Sequence, residues 1–318
     1  MNEQLNQNAI TFSDAALLWK KGYLDKRNNT AFVVESYMAI LKNRILPYIG
    51  DINMQELSTA DLDNLLQAQI DKGYSSQTIR NTFGVVKSIL AYAIKKGMIS
   101  DNPAARMDDL PSVRREQKIH YFTPAECKEF LRFIENEDLV YRTFYTLSLY
   151  SGFRRGELCA MHWDDIDYER QTISIKRSLS QTKAGLIEKE PKTPSSERTI
   201  TLPPCCFDLL LELQKSANCE YVFTRKGTTS PFWPQHMSRK FHCIIDRYNS
   251  AHSNKLPQIR LHDLRHTAAT LLIAQNVDAE TVARRLGHSN PAVTLNIYAH
   301  PTMEGDKRAS DTLAALLS

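Results

Sequence analysis

Between Asn102 and Thr123 the sequence loses its hydrophobic period, and the patterns on the two sides of that gap differ in kind. The gap carries Pro103 and Pro111 and the charged residues Arg114, Arg115, Glu116 and Lys118, the composition of an exposed linker. At 318 residues the chain is long enough for two domains with a core each. The expected division is a helical domain over 11–107, a linker over 108–119 and a second domain over 120–318 that ends in a tail helix. With 42% hydrophobic and 24% charged residues, both halves have the makings of folded domains and not of a disordered chain.

The first half reads as helix from Thr11 to about Asn102. In TFSDAALLWKKGYL, Phe12, Ala16, Leu17 and Trp19 share a face behind Ser13 or Asp14 as N-cap. A second helix spans Ala31 to Leu46 and is broken by Pro47 and Gly50. STADLDNLLQAQIDKG restarts with Ser58 or Thr59 as cap, a stripe of Leu62, Leu65, Leu66 and Ile70, and Gly73 as stop. The fourth helix turns Ile79, Phe83, Val86, Ile89, Leu90 and Ala93 inward and leaves Arg80, Lys87, Lys95 and Lys96 in solvent. Eight Lys and four Arg in residues 1–110 balance twelve Asp and Glu, so positive charge here is a property of the fourth helix and not of the domain. Arg80 and Lys87 are its candidate DNA contacts.

Beyond the gap the pattern becomes mixed α+β. A helix starts at Pro124, another runs from about Leu139 to Tyr150, short strands fall at TISIKR, IEKE and RTITL, and helices follow to the end. No apolar run approaches the roughly 20 residues of a membrane span, and MNEQLNQNAI has no signal-peptide pattern, so a cytoplasmic protein with no membrane partner is expected. Six cysteines (Cys127, Cys159, Cys205, Cys206, Cys219, Cys243) form no CxxC pair, which argues for reduced, packed thiols and against a zinc site. Neither GxGxxG nor GxxxxGK[ST] occurs, so no nucleotide cofactor is expected. The formal charge of +4 is too small to identify a nucleic-acid partner; the placement of charge has to do so.

Four segments of the second half carry chemistry. In LHDLRHT, His262 and Arg265 stand three apart at a helix start, a proton carrier beside a fork of donors that suits a phosphodiester. Alone, HxxR is common surface decoration. In YSGFRRGE, Arg154 and Arg155 open a helix, the end that helix dipoles make unfavourable for cations, so one of them calls for an anionic partner, with Glu157 the internal candidate. KEPKTPSSERTITL reads as a β-hairpin with Lys192 near its tip, followed by a strand. LGHSNPAVTLNIYAH ends a short helix at Gly287, exposes His288 and places Tyr298 on the next helical stretch.

In this order and company, SGFRRGE, PKTPSSERTI, LHDLRHT and LGHSNPAVTLNIYAH resemble the tyrosine recombinase (phage integrase) family from about Tyr121 to the end, and the first half resembles that family's helical core-binding domain. The resemblance implies a multidomain fold: an all-α, SAM-like core-binding domain followed by a mixed α+β, mainly helical catalytic domain. It makes Arg154 the first catalytic arginine, Arg155 its variable neighbour, Lys192 the hairpin lysine, His262 and Arg265 the HxxR pair, His288 the histidine after LG, and Tyr298 the nucleophile. Many phage integrases carry a further arm-type DNA-binding domain; the ten residues before Thr11 are too few to fold into one.

What the resemblance implies chemically is attack by a tyrosine on a scissile phosphate, giving a 3′-phosphotyrosyl link and a free 5′-hydroxyl, with no ATP, no metal and no other cofactor. His262 is assigned as proton acceptor, Arg154 and Arg265 as partners of the non-bridging oxygens, His288 as a further hydrogen bond, and Lys192 as general acid toward the leaving oxygen. The implied partners are double-stranded DNA recombination sites, three further copies of the chain in a homotetramer on that DNA, and an accessory protein that sets direction. The tail PTMEGDKRASDTLAALLS, with Leu313, Leu316 and Leu317 as an apolar stripe, docks either on a neighbouring protomer or on its own domain. Two other readings stand beside integration and excision of a phage or other mobile element: a type IB topoisomerase-like enzyme that relaxes DNA without site preference, and a non-catalytic DNA-binding repressor.

Overall fold

The computed structural model describes residues 10–27, 31–107, 110–111, 120–182, 184–190 and 197–287, with 310–311 and 314–315 near the C-terminus. It divides into two compact units, Met1–Gln117 and Lys118–Ser318, each with its own apolar core.

In the first unit, α1 (Phe12–Trp19) is capped by Thr11 and not by Ser13 or Asp14: the Thr11 hydroxyl accepts the Asp14 N–H and the Asp14 carboxylate accepts the Thr11 N–H, a reciprocal capping box. Phe12, Ala15, Ala16 and Trp19 are buried, whereas Leu17 is 55% exposed, so the buried face is turned one step from the expected one. The helix continues as a π-wound turn over Lys20–Leu24. A second helix, α2 (Ala31–Ile40), passes through another π-wound turn at Leu41–Ile45 into α3 (Leu46–Ile49), with Pro47 in the first turn of α3.

Helix α4 (Thr59–Asp71) is capped by Ser58 with Asp61. Leu62 and Leu65 are buried as expected, but Ile70 is 43% exposed and Gln69 takes the inward position. A buried amide needs a partner, and Gln69 Nε2 donates to the Arg44 carbonyl at 3.1 Å in the second π-wound turn. The long helix α5 (Ser76–Lys95) buries Ile79, Phe83, Val86, Ile89, Leu90 and Ala93, with Thr82 and Val85 beside them. Trp19 Nε1 donates to Ser88 Oγ at 3.1 Å and so ties α1 to α5. Arg80 and Lys87, seven residues apart, are both exposed on α5. Arg80 Nε and Nη2 donate to the Pro111 and Leu110 carbonyls, 2.9 and 3.0 Å away, which fastens the start of the linker to the helix.

The second unit is built around α7 (Leu139–Ser151), preceded by α6 (Pro124–Ile134), whose cap is a box of Thr123 and Glu126. Phe144, Tyr145 and Leu147 of α7 are fully buried, and the Tyr145 hydroxyl donates to the Met237 carbonyl at 2.8 Å. The short helix α8 (Arg155–Cys159) leads into β1 (Ile166–Asp167), β2 (Thr172–Ile175), β3 (Ser178–Thr182), β4 (Gly185–Lys189) and β5 (Arg198–Thr201). Strands β1, β2 and β5 form an antiparallel sheet in that order, with Ile173 opposite Ile200 and Ile175 opposite Arg198; β3 and β4 form a separate hairpin. This corrects the expected hairpin: β4 and β5, the strands that flank Lys192 in sequence, belong to different sheets, and the paired hairpin is the one between Ser178 and Lys189. Helices α9 (Pro204–Gln214), α10 (Pro234–Ala251), α11 (Asp263–Ala274) and α12 (Ala279–Leu286) follow, with α11 packed on α7 and α12 on α11. All six cysteines are free, and burial pushes the Cys127 and Cys159 thiols up to about 12, which makes them inert packing residues. Among the described residues no helix is long and apolar enough to cross a membrane. Leu313, Leu316 and Leu317 of the expected tail helix lie outside the described residues; Ser310, Asp311, Ala314 and Ala315 are helical.

Candidate active site

The site is assembled at the last turn of α12. Helix α7 stops at Gly152, whose left-handed backbone (φ 66°) reverses the chain and favours glycine; a Cβ added there would lie 2.5 Å from Leu286 Cδ2, so that side chain would have to shift. Two residues later Arg154 stands at the head of α8. The Glu157 carboxylate reaches back to it, accepting the Arg154 N–H and Nη1, each at 2.8 Å. Glu157 is therefore the anionic partner that an arginine at a helix start requires.

Glu157 also has a second cation, which motif reading did not single out. Arg198, the first residue of β5, donates Nη2 to Glu157 Oε2 at 2.8 Å and Nη1 to Oε1 at 3.3 Å. Both side chains are almost fully buried, 5% and 4% exposed, and the Arg198 guanidinium lies 5.3 Å from the centre of the Phe153 ring. Burial alone would raise the Glu157 pKa, but the Arg198 hydrogen bonds and charge, with those of Arg154, outweigh it and hold the carboxyl below its ordinary value. The signal for Arg198 was present in the strand period: β5 alternates inward and outward, and Arg198 falls on the inward side with Ile200. An arginine on the buried face of a strand predicts a buried anion.

Three guanidiniums then close on three successive carbonyls. Arg198 Nε donates to the Arg285 carbonyl at 2.8 Å, Arg265 Nη1 to the Leu286 carbonyl at 2.6 Å, and Arg154 Nη2 to the Gly287 carbonyl at 2.8 Å. Arg265 Nη1 also reaches the Gly152 carbonyl at 2.9 Å, so the turn that delivers Arg154 is held by Arg265. A helix end leaves its last carbonyls without partners and carries the negative pole of the backbone dipoles, which is why cations gather there. Gly287 closes the helix in the left-handed region (φ 69°), and a Cβ there would lie 2.8 Å from Arg198 Nη1.

The HxxR pair separates in burial. Arg265 in the first turn of α11 is 3% exposed, whereas His262, the residue before the helix, keeps an exposed edge and packs edge-on against His266 with ring centres 5.1 Å apart. Partial burial of the ring and the neighbouring His266, Arg265 and Arg260, opposed by Asp263, push the His262 pKa down to about 4. Its imidazole is then neutral, the form that accepts a proton. The second-order rate of cleavage, which reports the free protein, is expected to stay level as pH falls from about 7.5 to about 5.5. A fall centred near the ordinary imidazole value of about 6.5, lost in His262→Asn, would contradict this placement.

Among the expected residues, the structure thus brings together Arg154 and Arg265 and sets His262 at the start of the same helix as Arg265. Lys192, His288 and Tyr298 lie outside the described residues. Arg80 and Lys87 belong to the other unit.

Residues 120–304 match the phage integrase family, and residues 12–110 match the phage integrase central domain. The chain belongs to the phage integrase family. It is 28% identical over 291 residues to the ICEBs1 integrase of Bacillus subtilis (strain 168), covering 87% of this chain and 76% of that one. To the transposase of transposon Tn916 from Enterococcus faecalis it is 25% identical over 300 residues, 87% of this chain and 71% of the relative. In fold it is similar to the Tn1549 transposon integrase solved with transposon right end DNA (TM-score 0.83, 23% identity, 96% of this chain and 100% of that one). It is also similar to the lambda integrase solved as a tetramer bound to a Holliday junction (TM-score 0.70, 20% identity, 91% and 78% coverage). This phage integrase family member is a site-specific recombinase of the tyrosine class, with an all-α first domain and a mainly helical α+β catalytic domain.

Proposed function

We propose that this recombinase integrates and excises a phage or other mobile element by cutting and rejoining double-stranded DNA through Tyr298. The observation that carries the reading is the meeting of Arg154 and Arg265 on the last turn of α12, directly before His288 in sequence. Two guanidiniums fixed on adjacent carbonyls form a preorganised cradle for a phosphodiester. The Tyr298 oxygen attacks phosphorus, the bond to the 5′-oxygen breaks, and a 3′-phosphotyrosyl link forms; a hydroxyl attacking that link later reverses the step with no outside energy. His262 takes the tyrosine proton, Lys192 supplies a proton to the leaving 5′-oxygen, and Arg154, Arg265 and His288 face the non-bridging oxygens. We further assign residues 11–107 as the core-type DNA-binding domain, 108–119 as linker and 120–318 as the catalytic domain, working in the cytoplasm as a homotetramer on two DNA sites, with an accessory protein setting direction.

The test is covalent trapping. Purified protein, in EDTA and without ATP, is mixed with labelled duplexes carrying the ends of the element that encodes it, nicked so that a short 5′-hydroxyl fragment diffuses away after cleavage. A protease-sensitive adduct on a denaturing gel is expected. Binding of those ends without any adduct would favour the repressor reading, and equal relaxation of plasmids of any sequence the topoisomerase reading.

For α5 the proposal is that Arg80 and Lys87 contact DNA phosphates. Replacing both by Ala should weaken binding and lower the slope of log affinity against log salt by up to about two. An unchanged slope and affinity would remove them from the interface.

A further inference from the structure

Arg198 does more than neutralise a buried carboxylate. We infer that Arg198 is a positioning residue for strand cleavage, clamping Glu157 so that Arg154 is held at the scissile phosphate and fastening that clamp to the last turn of α12. The inference rests on the function proposed above. Each bond in the chain is direct: Arg198 Nη2 and Nη1 to the two Glu157 oxygens, those oxygens to the Arg154 N–H and Nη1, and Arg198 Nε to the Arg285 carbonyl. Glu157 is fixed from two sides, and among the described residues the Gly287 carbonyl is the further anchor of Arg154.

Position in the chain gives the clamp its reach. Arg198 opens β5, directly after the segment that contains Lys192, and its Nε bond ends on α12 directly before His288. Arg285 returns the tie, donating Nη1 to the Thr201 carbonyl of β5 and Nη2 to the Tyr150 carbonyl of α7, 3.1 and 3.0 Å away. Strand β5, the turn that carries Arg154 and the end of α12 are thus held as one body. A lysine at 198 could satisfy one oxygen of Glu157 but could not at the same time fork onto the carboxylate and reach the Arg285 carbonyl.

The experiment must separate positioning from folding. Removing one charge of a buried pair leaves the other uncompensated, whereas removing both with side chains of similar shape is close to neutral. The informative variant is therefore Glu157→Gln with Arg198→Met, compared with Arg198→Lys alone, each checked for thermal unfolding and affinity for the site. On the trapping substrate the double variant is expected to cleave about 10²-fold more slowly than wild type with affinity retained, and Arg198→Lys about tenfold more slowly. The readout that a purely structural role would not move is a substrate with a methylphosphonate at the scissile position, where a neutral methyl replaces one charged oxygen. With less charge for Arg154 to balance, the double variant should cleave it within about threefold of the wild-type rate on that same substrate. A deficit of equal size on both substrates would mean that Arg198 only supports the fold, and a wild-type rate on the ordinary phosphate would show that it positions nothing; either result overturns the inference. Failure of the wild-type protein to form any adduct would instead overturn the function proposed above.

Discussion

Tyr298→Phe is expected to bind its DNA site as tightly as the wild-type protein and to form no covalent adduct. Only the hydroxyl is removed, so the aromatic ring stays while the nucleophile is gone. An unperturbed tyrosine, with a pKa near 10, is a poor nucleophile at neutral pH, and in the proposed mechanism the neutral imidazole of His262 takes its proton. Among the described residues, the arginines of the site are not nucleophiles, and the buried Cys127 and Cys159 are held as thiols. The check is a denaturing gel after incubation with labelled site DNA, beside a gel-shift titration of the same protein. A covalent band from the Phe variant would move the nucleophile elsewhere.

Lys192→Ala should slow cleavage by about 10² to 10⁴, the range for loss of a general acid, while leaving affinity nearly intact. The step in question is protonation of the departing 5′-oxygen. If sulfur replaces that bridging oxygen the leaving group is a thiolate, which needs no proton to depart, and cleavage by the variant should recover most of the loss. Arg154→Ala should not recover on the same substrate, because the charge on the non-bridging oxygens still lacks its partner. Equal recovery of both variants, or of neither, would give Lys192 a different task, such as placing the phosphate. The location of Lys192 between β4 and β5, which join different sheets, makes this the most informative of the single substitutions.

How much was legible beforehand depended on whether the deciding partner was near in sequence. The helical character of the first unit follows from period, with the expected second helix realised as α2 and α3 joined by a π-wound turn, and the inward face of α5 is the clearest case because eight buried positions repeat there at helical spacing. The Thr11 cap was also within reach, since Thr11 and Asp14 have the spacing of a capping box; the neighbouring Ser13 and Asp14 simply compete with it. Gln69 was not, because the Arg44 carbonyl that permits its burial lies 25 residues away. Strand β3, SLSQT, buries only Leu179 and Thr182 and has no apolar alternation, so the true hairpin partner of β4 left no period to find. In the site, Arg154, His262 and Arg265 were legible as motifs, but Arg198 was not, nor was the meeting of the three arginines on α12: the bonds that make it go to main-chain acceptors, and any residue supplies a carbonyl.

That last point bears on which genetic changes the site can survive. Because the arginines rest on the carbonyls of residues 285 to 287, those three bonds are made to the main chain, while the side chains have separate tasks: Arg285 ties the helix to β5 and α7, and Leu286 is fully buried. A change in length is another matter. Deleting or inserting one residue within Ala279–Leu286 turns the final carbonyls by about 100° about the helix axis and shifts them by about 1.5 Å, so that all three guanidiniums lose their acceptors together. Relatives and laboratory variants that stay active should therefore differ at the exposed positions of this helix while keeping its count and its apolar residues at 282, 283 and 286.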